Sequence, residues 1–97
     1  MDYYKKYGLS DADIMEIKMS ISNDDLLEAE VYFLRIGELF DYLASIGITD
    51  FKEIFLNVPD ILGYKSEEIR KSIEESKIPN LIELLKEDVS NFSLIGF

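Results

Sequence analysis

Carboxylates are the main chemical resource of this chain. It carries 20 Asp and Glu against 10 Lys and Arg, with no histidine and no cysteine. Without imidazole or thiol, the commonest nucleophile–base pairs are ruled out, as are most transition-metal sites. Two uses of carboxylates then stand to be tested. The first is glycoside chemistry, which needs two acids facing each other across a cleft, and no spacing here sets a pair in that relation. The second is hard-cation binding. Asn23-Asp24-Asp25 has the right oxygens but neither the turn glycine nor the closing glutamate of a calcium loop. These three residues therefore read as a helix-capping cluster. Asp11 and Asp13 read the same way, as acids that meet the dipole of a helix start. The five glycines are isolated from one another, so no phosphate-cradling loop is present. The residues point to no catalytic group, no cofactor and no metal, and the expectation is a protein that is not an enzyme.

Charge distribution carries more information. The net charge is −10, which repels polyanions and anionic membranes at long range. Between Tyr7 and Thr49 the only cations are Lys18 and Arg35, set against Asp11, Asp13, Glu16, Asp24, Asp25, Glu28, Glu30, Glu38 and Asp41. An acidic face is expected on this half, with Asp24, Asp25, Glu28 and Glu38 as the candidate contacts for a basic protein partner. A compact acidic protein of this kind suits an inhibitor that imitates nucleic acid phosphates. Arg35 is expected to pair with Glu38. The one candidate polyanion contact is Lys65, Arg70 and Lys71, with Lys77 nearby, but Glu67, Glu68, Glu74 and Glu75 are interleaved with them. That segment reads as a solvated mixed face, with Glu67 and Lys71 forming an i,i+4 pair.

The elements that position these residues are helical. Tyr3, Tyr4 and Tyr7 form an aromatic lead-in of about one turn, stopped by Gly8. Ser10 with Asp13 marks a capped helix start, and Ile14, Ile17 and Ile21 give its apolar stripe. The region 23–46 predicts one long central helix. Leu26, Ala29, Phe33, Ile36, Phe40 and Leu43 recur at helical spacing, and Leu27, Tyr32, Leu34, Leu39 and Ile46 widen the arc. An arc this broad is expected to be covered from more than one side. Gly37 within it marks a close approach or a bend, and Gly47 a helix end. Further helices are expected at 50–57, capped by Thr49, at 66–76, capped by Ser66, and from Pro79 onward. Pro59 opens a short turn closed by Gly63, and 91–97 forms a terminal turn. Phe33, Phe40, Phe51 and Phe55 are expected in the core. No segment alternates long enough to form a strand.

The expected fold is therefore all-α, with five or six helices in a single domain over 1–97. Residues 7–46 form a helical N-terminal part, and 47–97 form two repeat-like units in a short solenoid or a compact orthogonal bundle. The apolar share of 47% suffices for a core. No apolar run approaches membrane-spanning length, and Met1-Asp2-Tyr3-Tyr4-Lys5-Lys6 is not followed by a signal-peptide core. A cytoplasmic protein is expected.

A phrase recurs along the chain. Gly47-Ile48-Thr49-Asp50-Phe51 leads through Pro59 to Ile61-Leu62-Gly63-Tyr64, and Ile78-Pro79-Asn80-Leu81 leads to Leu94-Ile95-Gly96-Phe97. A fainter copy starts at Gly8. The run from Ser45 to Ile69, with Pro59, Leu62 and Ile69 at its key positions, resembles the repeat of the mitochondrial transcription termination factor family. The likeness is clear over about 45–75, partial over 76–97 and faint over 8–22. It implies an all-helical stack of repeats, and it implies nucleic acid binding through a basic concave face. The family's basic face has no counterpart in a chain of net charge −10. An incomplete stack leaves its last apolar face open, which allows a homodimer.

Overall fold

The N-terminal tyrosines enter the molecule side by side on a 3₁₀ turn, Asp2–Tyr7, which ends at Gly8 in the left-handed conformation (φ 87°). A computed structural model describes all residues from Met1 to Phe97. Six α-helices follow the turn: α1 (Asp11–Ser20), α2 (Asn23–Val31), α3 (Phe33–Ser45), α4 (Phe51–Asn57), α5 (Ser66–Glu74) and α6 (Leu81–Glu87). Two more 3₁₀ turns, Pro59–Gly63 and Val89–Ile95, sit after α4 and after α6. The chain is all-helical, without strands, as its periodicity predicts.

Local chemistry explains most of the boundaries. Ser10 and Asp13 form a reciprocal capping box, each side chain taking the other's backbone N–H. The Ser22 hydroxyl takes the Asp25 N–H and starts α2. Gly47 ends α3 at φ 89°, where a side chain would be strained. Some starts shift from the expected residue. Asp50 rather than Thr49 precedes α4, and Lys65 rather than Ser66 precedes α5, neither with a side-chain cap. α6 begins at Leu81 because Asn80 takes the left-handed conformation (φ 56°) and turns the chain after Pro79.

The predicted single helix over 23–46 is two helices. The α2 ladder ends with the Tyr32 N–H on the Glu28 carbonyl (2.9 Å) and resumes with the Ile36 N–H on the Tyr32 carbonyl (3.0 Å). Between them Tyr32 sits outside helical geometry (φ −104°, ψ 28°), and the Phe33 N–H makes no bond to Ala29. A contact from the other end of the sequence meets the break: the Tyr4 hydroxyl donates to the Ala29 carbonyl at 2.7 Å, so that carbonyl is satisfied without the Phe33 N–H. A side chain inserted into the ladder is a recognised source of helix bends. Three successive β-branched and aromatic residues, Val31-Tyr32-Phe33, offer little propensity to resist it.

The same turn explains Gly37. A Cβ there would lie 2.9 Å from the Tyr3 hydroxyl and 3.0 Å from that of Tyr7. The glycine serves a close approach of phenols, while the bend falls five residues earlier. The Tyr7 hydroxyl shares its proton between the Gly37 carbonyl (3.0 Å) and the Asp41 carboxylate (3.1 Å).

Behind these contacts lies the core. Tyr4 packs edge-on to Phe40 and Phe55, and Phe40 stacks on Phe51 with centroids 4.4 Å apart. Phe40, Phe51 and Phe55 are buried as expected, whereas Phe33 is partly open and leans on the Tyr3 ring. One apolar cluster runs from Met1 to Phe92 through α3, whose Ile36, Leu39, Phe40 and Leu43 are buried. α3 packs on α2, α5 and the N-terminal turn; α4 packs on α1 and both later 3₁₀ turns. The C-terminal residues finish this core: Phe92 is buried and the Phe97 ring meets Tyr64 edge-on. The Cα radius of gyration, 12.8 Å, matches a compact chain of this length.

Two outcomes are expected. Tyr4→Phe keeps the ring but leaves the buried Ala29 carbonyl without its donor, and should cost about 1–3 kcal/mol in urea unfolding. The second concerns alkali. Burial, followed by the Glu30 charge, raises the Tyr4 pKa far above the usual phenol value, and burial pushes Tyr7 up to about 12. The unfolded chain ionises its tyrosines near pH ~10, so above that pH the unfolded state sheds protons that the native state keeps. Stability should be intact below pH ~10 and fall as pH rises through the native values. Tyrosinate absorbance followed with circular dichroism should show the last tyrosines titrating together with loss of helix.

Candidate functional site

The bend leaves apolar side chains facing water. Leu27, Tyr32 and Leu34 were expected to widen a buried arc, yet they are 61%, 49% and 66% exposed, and Val31 is exposed with them. In α2 only Ala29 is buried. The segment carries two parallel apolar stripes. The one through Ala29, Ile36, Phe40 and Leu43 enters the core, and the one through Leu27, Val31 and Leu34 does not. Leu27 and Leu34 of the second stripe were read from the sequence as part of the apolar arc, and Val31 was not. What was not visible is that no other element covers it.

Beside this stripe runs a shallow groove of about 530 Å³, lined by Asp24, Leu27, Glu28, Val31, Tyr32 and Arg35. Arg35 closes one end. It donates to the Glu28 carboxylate at 2.8 Å and to the Leu62 carbonyl at 3.1 Å, and its guanidinium lies 4.5 Å from the centre of the Tyr32 ring. The expected Arg35–Glu38 pair is therefore replaced by a link seven residues back along the chain. Helical spacing favours the i,i+3 partner, but the bend and the buried Leu62 turn draw the guanidinium inward instead. Its Nε is buried with no partner. The link joins α2 to α3 across the break.

The four acids expected to form one face divide. Asp24 is exposed and Glu28 half-buried, both on the groove. Asp25 is half-buried beside its Ser22 cap. Glu38 is exposed on α3, one turn beyond Leu34. Asp24 and Glu38 thus bracket the apolar stripe, and Glu28 is neutralised within it. No three acidic side chains gather where a metal ion would be held.

Lys65, Arg70 and Lys71 are all exposed at and on α5. Arg70 pairs with Glu74 at 3.7 Å, and the expected Glu67–Lys71 pair is not formed. Glu67, Glu74 and Glu75 line the same depression as Arg70 and Lys71, so these cations face carboxylates. A second groove, between α3, α5 and α6, is lined by Tyr42, Ile46, Ile73, Ile78, Leu81 and Ile82 with Glu74 and Glu83 at its rim. No helix is long and apolar enough to cross a membrane.

No protein-family model, no curated protein and no solved structure matches the chain.

Because Arg35 ties α3 to α2 and to the Pro59–Gly63 turn, Arg35→Ala should lower stability by about 1–2 kcal/mol, the lower part of the charge-assisted range because the pair is partly solvated. A double-mutant cycle with Glu28→Gln should give a coupling of about 0.5 kcal/mol or more.

Proposed function

We propose that this chain is a small, acidic, non-enzymatic protein-interaction module that docks on a basic protein through the α2–α3 face. The observation that carries this reading is the exposed apolar stripe Leu27, Val31 and Leu34 bracketed by Asp24 and Glu38. Exposed apolar residues at helical spacing mark contact surfaces when they are contiguous. Their charged surroundings select the sign of the partner and speed its encounter. An inhibitor that occupies the nucleic-acid site of a basic protein is the form of such a module that the acid excess fits best.

The helical-repeat reading has one observation in its favour. Pro59 opens a 3₁₀ turn and both Leu62 and Ile69 are buried, as a repeat of the resembled type would require. Direct nucleic acid binding would then fall on Lys65, Arg70 and Lys71. Their neighbouring carboxylates weigh against it.

Affinity capture from a lysate of the source organism, with and without nuclease, separates the two. The module predicts a basic protein that survives nuclease and is lost when Asp24, Asp25 and Glu38 are changed to Lys together with Glu28→Gln, in a variant that keeps its helical circular dichroism. Nuclease-sensitive RNA or DNA, lost with Lys65→Glu, Arg70→Glu and Lys71→Glu, is the result that would overturn it.

A further inference from the structure

The bracketed stripe has a register as well as a sign. Asp24, Leu27, Val31, Leu34 and Glu38 are spaced 3, 4, 3 and 4 residues apart. That is the a/d spacing of a heptad seam, with apolar residues in the middle and an acid at each end. Asp24, Leu27 and Val31 lie on α2 and Leu34 and Glu38 on α3, so the run crosses the break at Tyr32. Resting on the reading above that the partner is a basic protein, we infer that this face is one half of a helix–helix seam. Its occupant is an amphipathic helix of another protein, apolar along its own a/d positions and carrying Lys or Arg at both ends of the contact.

The charge pattern decides between this occupant and a second copy of the chain. In a parallel pair of copies, Asp24 would face Asp24 and Glu38 would face Glu38. In an antiparallel pair, Asp24 would face Glu38. Both arrangements set like charges at both ends of the seam and add the repulsion of two chains of net charge −10. A basic helix satisfies both ends in either direction. The groove lined by Leu27, Val31, Tyr32 and Arg35 offers room for a side chain of the docked helix. The Arg35 guanidinium is held over Tyr32 and against Glu28 at its side.

Two synthetic helical peptides of ~21 residues, three heptads with leucine at a and d, test this. One carries lysines and the other glutamates at the flanking positions. Binding is read by fluorescence anisotropy and by amide shifts in NMR. The lysine peptide should bind one to one, shift α2 and α3 amides, and bind about tenfold or more tighter than the glutamate peptide. Val31→Asp and Leu34→Asp should each weaken it about tenfold or more. Both residues are exposed, so thermal melts should show these variants folded. Leu94→Asp, an exposed leucine on the C-terminal turn, should bind as the unaltered chain does. Absence of binding, equal binding of both peptides, or a dimer in sedimentation that Leu34→Asp dissociates would each overturn the inference. Binding that survives both seam variants but is lost on reversing Asp24, Asp25 and Glu38 overturns the seam alone. The acidic-module reading would then stand or fall by the capture experiment.

Discussion

The hydroxyl of Tyr4 on the carbonyl of Ala29 is the contact that ties the N-terminal turn to the break between α2 and α3. One hydrogen bond from a residue 25 positions away satisfies the Ala29 carbonyl where the helical ladder breaks. The segment from Asn23 to Ser45 is divided there, at Tyr32, into α2 and α3. The bond is buried at both partners, where leaving either group unpaired is costly. It is supported by close packing: Tyr4 sits among Phe40 and Phe55, and Gly37 gives way to the phenols of Tyr3 and Tyr7. The aromatic lead-in is therefore a structural strap, neither a loose terminus nor an exposed patch.

The bend separates burial from periodicity. An amphipathic helix normally hides one stripe. Here the segment 23–46 has apolar residues around most of its circumference, and the fold spends only part of them. α3 buries five residues, whereas α2 buries one, Ala29. The unspent stripe lies between Tyr7 and Thr49, where nine acids stand against two bases, so exposed apolar residues and the larger acid excess fall in the same part of the chain. Apolar contact gives a docking surface its affinity and charge gives it its choice of partner. On α5, by contrast, both signs of charge are mixed within one depression, which gives no net field to steer a polyanion.

Much of this was legible in the amino-acid sequence, because it rests on local physics. The all-helical class follows from isoleucine, leucine and phenylalanine at spacing 3 and 4. The capping box at Ser10 and Asp13, the start of α2 at Ser22, the left-handed glycines 8 and 47, and the turn at Pro59 all depend on neighbours a few residues away. So did the location of the acid excess, which needs no fold at all.

What the tertiary structure alone decided were the long-range partnerships. No local rule pairs Tyr4 with Ala29, so the break at Tyr32 was not readable. Arg35 had an equally good partner at Glu38 by spacing and took Glu28 because the Leu62 carbonyl lay on that side. Leu27, Val31 and Leu34 have the composition of core residues and became surface only because no other helix covers them. Periodicity tells which residues share a face; whether that face meets protein or water depends on where distant segments come to rest.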